Sequence, residues 1–102
     1  MAVTCTEEGR TLIAYVGGEV DHHAARALME ELTGQMESVL PRSMILDLSG
    51  VSFMDSSGIA LVLRSWKDMT RMGGSMSVRH VPAQAEKVLK AAGLHRLISF
   101  EV

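Results

Sequence analysis

An α/β fold is predicted, with a small mixed β-sheet and α-helices packed mainly on one face. Three observations predict it. Short β-rich runs alternate with helical periods along all 102 residues. Each helical stretch carries one apolar stripe, as a helix does when one side lies on a sheet and the other in water. Strand–helix–strand units of this kind cross over with a right hand, so the sheet must be at least partly parallel. No linker or repeat interrupts the pattern, and residues 1–102 read as one domain.

The elements follow in order. A short strand is expected around Val3 to Thr6, turning at Glu8-Gly9. "TLIAYV", Thr11 to Val16, is β-rich and is expected to stop at Gly17-Gly18. Asp21 is placed to cap a helix in which Ala25, Leu28, Leu32, Met36 and Val39 recur at three- and four-residue spacing, closed by Pro41. "SMILDLSG" reads as a buried strand. The next helix carries Ile59, Val62, Leu63, Trp66, Met69 and Met72 on one side and ends at Gly73-Gly74. "SMSVRHV" is a strand, and Pro82 opens a helix whose Val88, Leu89 and Ala92 face inward before Gly93. "LISFEV" is the last strand. Two polar loops are expected beyond strand ends, "GGEVDHH" and "SFMDSSG", on the edge where such folds present their binding loops.

Composition excludes several functions. The apolar share of 47% is that of an ordinary globular chain, and the net charge of -2 is spread without a basic patch, so no direct nucleic-acid binding is expected. One cysteine, Cys5, cannot form an internal disulfide and suits a reducing compartment. "MAVTCTEEGRT" lacks the apolar core of a signal segment, and "IALVL" is too short to span a bilayer. A cytoplasmic protein without a membrane role is expected.

Asp55-Ser56-Ser57-Gly58 stands where a strand should give way to a helix. A helix start needs one short polar cap, worth about 1 kcal/mol, which leaves a second serine to explain. A hydroxyl just inside the first turn lies where free amides and the helix dipole favour an added anion. The second serine is therefore a candidate phosphoacceptor, with Gly58 leaving room for a kinase to approach. Ser56 is expected nearer the cap, its oxygen engaged by backbone amides. A nucleophile elbow would need glycine two residues before the serine, where Met54 and Asp55 stand, so no catalytic residue is assigned. His22 and His23 are adjacent and cannot share a helix face, and His80 and His95 have no ligand spacing, so no metal and no cofactor is expected. Asp21 reads either as a cap or, with Glu19, as a partner contact, and both readings stay open on residue pattern. Arg64, Lys67 and Arg71 read as a solvated stripe. Asp47, inside a buried strand, needs a partner or a strand-end position.

Taken together, "GGEVDHH", "ILDLSGVSFMDSSGIALVL", "RMGGSMSV" and "AAGLHRLISFE", in this order over nearly the whole chain, resemble the STAS domain. "DHH" points to the anti-sigma factor antagonists of the sporulation type. The resemblance implies a partner switch with no catalysis of its own. The unphosphorylated antagonist binds an anti-sigma factor that is also a serine kinase, which releases a sigma factor indirectly. That kinase phosphorylates the second serine of the motif, here Ser57, and a metal-dependent serine phosphatase reverses the step. Asp55, Ser56 and Gly58 match the rest of the switch loop, and Glu19, Asp21 and His22 match the neighbouring partner-binding loop. Family members usually continue with a further helix after the last strand, whereas this sequence ends at Val102. A second reading keeps the fold and makes it a STAS-type sensor or scaffold for a small ligand. The intact Asp55–Gly58 motif beside "EVDHH" weighs against that.

Overall fold

The computed structural model describes residues 3–101. β1 (Val3–Glu8) and β2 (Thr11–Val20) form an antiparallel hairpin, and β3 (Ser43–Met54), β4 (Ser75–Arg79) and β5 (Ser99–Glu101) follow β2 in parallel. Between them run α1 (His22–Val39), α2 (Ser56–Arg71), α3 (Ala83–Ala91) and a 3₁₀ turn, Leu94–Arg96. Strand order across the sheet is chain order, β1 to β5. Right-handed crossovers that all step the same way must place their helices on the same face.

The alternation of side chains shows the consequence. Leu12, Ala14 and Val16 of β2, Met44, Leu46 and Leu48 of β3, and Met76 and Val78 of β4 are buried in one core. Onto them pack Leu28, Leu32 and Met36 of α1, Leu61, Val62 and Met69 of α2, and Ala85 and Leu89 of α3. Trp66 packs half-buried against the same core. Successive strand residues point to opposite faces, so the other face carries Thr11, Ile13 and Tyr15 beside Ser43, Ile45 and Asp47 and then Ser75, Ser77 and Arg79. A polar row, Tyr15–Asp47–Arg79–Glu101, runs across it in register. Asp47 is only 2% exposed, and its carboxylate is fully engaged. It accepts from Ser49 N (2.9 Å) and Arg79 Nε (2.9 Å) and pairs with His80 Nδ1 (3.2 Å). Burial alone would push this carboxyl up, but the Ser49 bonds, the Arg79 guanidinium and His80 outweigh it and hold it below the usual carboxylate range. The partner that Asp47 requires comes from the adjacent strand.

Several expected boundaries move. β2 does not stop at Gly17-Gly18 but continues to Val20, and β3 continues past Gly50 to Met54. The glycines serve two register shifts between these strands. Gly18 takes a φ of 81°, and Gly17 lies so near Gly50 that a Cβ on Gly50 would meet the Gly17 Cα at 3.3 Å. The two expected loops are therefore strand ends and helix starts, with only Asp21 and Asp55 between them. Leu61 and Asp68 join the buried side of α2, while Met72 and Ala92 lie on the surface. β4 ends at Arg79 because His80 turns into a left-handed conformation, φ 53°. The last strand starts at Ser99, after Leu97 and a buried Ile98, and Val102 lies outside the described residues.

Candidate functional site

β2 and β3 are parallel neighbours that end level, Val20 opposite Met54. One residue follows each strand before a helix begins, and in both places it is an aspartate. Asp21 caps α1 by accepting from Ala24 N at 2.9 Å. Asp55 caps α2 by accepting from Ser57 N at 2.7 Å through Oδ1, and its Oδ2 accepts from His22 N at 3.2 Å. Asp55 N in turn donates to Val20 O at 3.1 Å. One carboxylate thus ties together the N-termini of both helices, at the carboxyl ends of two adjacent parallel strands. Through the Ser57 N–H above all, and with help from the Ser57 hydroxyl and His22, the Asp55 carboxyl is held below its ordinary range. It is a weaker base than an ordinary aspartate, so it does little to activate the neighbouring hydroxyl.

The cap is Asp55 and not Ser56, which corrects the expected capping role of that serine. Ser56 is the first residue of α2 and is exposed; Ser57 is the second and is half-buried. What distinguishes them is direction. Ser57 lines a groove of about 240 Å³ between α1 and α2, shared with Ala25 and Arg26 on one wall and Ala60 and Arg64 on the other. Gly58 also departs from expectation. It is buried, and a Cβ there would lie 2.3 Å from Met54 Cγ and 2.5 Å from its Sδ, so its small size seats α2 on β3 and does not open a path for a kinase.

The residues expected in the partner-binding loop, Glu19, Asp21 and His22, fall on the same edge. Glu19 is exposed on β2, in register with Phe53. Asp21 is half-buried, with its carboxylate committed to the cap. His22 is exposed, and its ring stands edge-on to that of His23, 5.9 Å between centroids. Two further residues escaped the sequence reading. Phe53, 44% exposed, places an aromatic ring beside the motif. Gln84 of α3 clasps Met54 from both sides, its Oε1 accepting from Met54 N at 2.8 Å and its Nε2 donating to Met54 O at 2.8 Å. A glutamine two residues after a proline carries no sequence signal for such a clasp. Among the described residues no three histidines, cysteines or carboxylates gather as a metal site would require. No described helix is long and apolar enough to cross a membrane.

The STAS domain profile matches residues 2–102. The chain is 29% identical to the anti-sigma F factor antagonist of Paenibacillus polymyxa, over 85% of this chain and 74% of that protein. It is 30% identical to the anti-sigma F factor antagonist of Lysinibacillus sphaericus, over 82% of this chain and 72% of that protein. The fold superposes on the solved structure of the anti-sigma factor antagonist SpoIIAA in its unphosphorylated form with a TM-score of 0.82, at 24% identity, covering 99% of this chain and 89% of SpoIIAA.

Proposed function

The chain belongs to the STAS domain family, and from that premise we propose that it is an anti-sigma factor antagonist switched off by phosphorylation of Ser57. The protein is a regulatory binding module and not an enzyme. The observation that carries the reading is the double cap of Asp55, which sets Ser57 beside the surface formed by Glu19, Asp21 and His22. In the unphosphorylated form this edge binds an anti-sigma factor in the cytoplasm, with Phe53 as an apolar anchor, and frees a sigma factor. The same anti-sigma factor acts as the kinase. Ser57 Oγ attacks the γ-phosphorus of ATP, its proton passes to a base on the kinase, and the bond to ADP breaks. A metal-dependent serine phosphatase restores the hydroxyl by hydrolysis. Phosphoserine adds about -1.5 to -2 charge at the edge that must lose water on binding. A kilocalorie of mismatch in such an interface is felt, since about 1.4 kcal/mol is tenfold in affinity.

The test is to incubate the protein with a candidate anti-sigma kinase and ATP and to map the product by mass spectrometry. Phosphate on Ser57, absent from Ser57→Ala, is expected. Ser57→Ala should still bind the ADP-loaded anti-sigma factor, and Ser57→Asp should weaken binding only in part, because a carboxylate carries less charge and fewer acceptors. Phosphate on Ser56, or unchanged affinity after full phosphorylation, would refute the proposal.

A further inference from the structure

We propose that the phosphoryl group on Ser57 is gripped within this chain by Arg26 of α1 and Arg64 of α2, across the groove that the three residues line together. The inference rests on Ser57 being the phosphorylated serine, and it adds a built-in acceptor for the charge. Arg64 lies seven residues after Ser57, two turns on along the same face of α2, about 10 Å up the helix axis. Side chains on a helix lean toward its N-terminus, so the Arg64 stem points back toward Ser57. Ala60, between them on that face, and Ala25, on the facing wall, are too small to block the way.

Both arginines are loosely held. Arg26 has Glu30 at 3.8 Å, with both side chains largely in water, and Arg64 has Asp68 at 3.8 Å. The exposed Arg26–Glu30 pair contributes little, and Arg64 is the more distant of the two partners of a buried Asp68. Asp68 keeps its closer partner, Arg71 at 2.8 Å, when Arg64 swings away, so no buried carboxylate is left alone. Two guanidinium groups match a phosphoserine of about -2 charge, and arginine–phosphate forks are stronger than the bonds given up. Asp55 is the carboxylate nearest the phosphate in sequence. It is already occupied by the Ser57 and His22 N–H groups, so it opposes the dianion without competing for the arginines.

The phosphoserine is best installed at position 57 during translation, which needs no kinase, so an inactive kinase would count against the function proposed above and not against this grip. Its second ionisation is then followed by phosphorus NMR against pH in the full chain. Opposite charge nearby favours the dianion. The folded wild-type protein should therefore titrate about half a unit below the Arg26→Gln/Arg64→Gln variant, roughly threefold in proton affinity, with each single variant in between. Unfolding the phosphorylated wild-type chain in urea should raise its midpoint to that of the double variant or above it, because the helix start is lost along with the arginines. Both positions are exposed, and amide spectra check that the variants fold. Equal midpoints in the folded wild type and double variant, or in folded and unfolded wild type, would overturn the proposal.

Discussion

Gly58→Ala should destabilise the fold through Met54. An alanine Cβ would stand 2.3, 2.5 and 2.9 Å from the Cγ, Sδ and Cε of Met54, where carbon–carbon contacts settle near 3.5–4.0 Å. Methionine is flexible, yet Met54 is 1% exposed and has nowhere open to turn. Its backbone cannot retreat either, being clasped by Gln84 and paired with Val20. Overpacking of this kind costs about 1–3 kcal/mol, offset by up to about 1 kcal/mol from replacing a helical glycine. A net loss of about 1–2 kcal/mol remains, or roughly 5–10 °C in Tm for a domain near 100 residues. The assay is thermal and urea unfolding of Gly58→Ala, Met54→Ala and the double variant. Because the second change empties the space that the first invades, their effects should couple by about 1 kcal/mol or more. A Tm at or above wild type for Gly58→Ala, or strict additivity in the double variant, would refute the packing role and return Gly58 to kinase access.

Gln84→Ala removes both bonds to Met54 and should cost about 1–2 kcal/mol, with faster hydrogen exchange at the Met54 amide as the local sign. Gly34→Ala should stabilise by about 0.5–1 kcal/mol in urea titrations, because Gly34 sits exposed inside α1 with nothing within 4 Å of an added Cβ. Asp47→Asn should lower stability at neutral pH and flatten its loss in acid. The folded Asp47 carboxyl titrates below its ordinary value, so its contribution is complete above about pH 4 and disappears as pH falls through the folded pKa. Urea midpoints measured from pH 7 downward check this, and an unchanged acid slope in the variant would contradict it.

The fold was legible because each helix has a single stripe and each strand a short β-rich run. Leu28, Leu32 and Val62 are buried where the periodicity puts them. The glycines misled, since Gly17, Gly18 and Gly50 punctuate like turn residues yet belong to strands whose backbones approach closely and shift register. That is a pairwise property of β2 and β3 and cannot be read from either alone. At the site, the residue types were legible, but the division of labour among them was not. Which of Asp55 and Ser56 caps α2 depends on where β3 ends, and that end was read four residues early. Gln84 and Arg26 approach the motif only through tertiary packing, so no spacing along the chain announces them.

Strand order that equals chain order bears on how the protein is made. As the chain leaves the ribosome, the β1–β2 hairpin can form at once, and each later strand arrives with its helix to find its neighbour already in place. No strand has to be inserted between two that have paired, as happens in sheets whose order doubles back. Loop closure is then limited to one crossover at a time, which keeps its entropy small and the contacts local. At every stage the growing sheet exposes a single new edge, and the next segment synthesised is the one that covers it. Partly made chains therefore offer few unpaired edges for aggregation during translation.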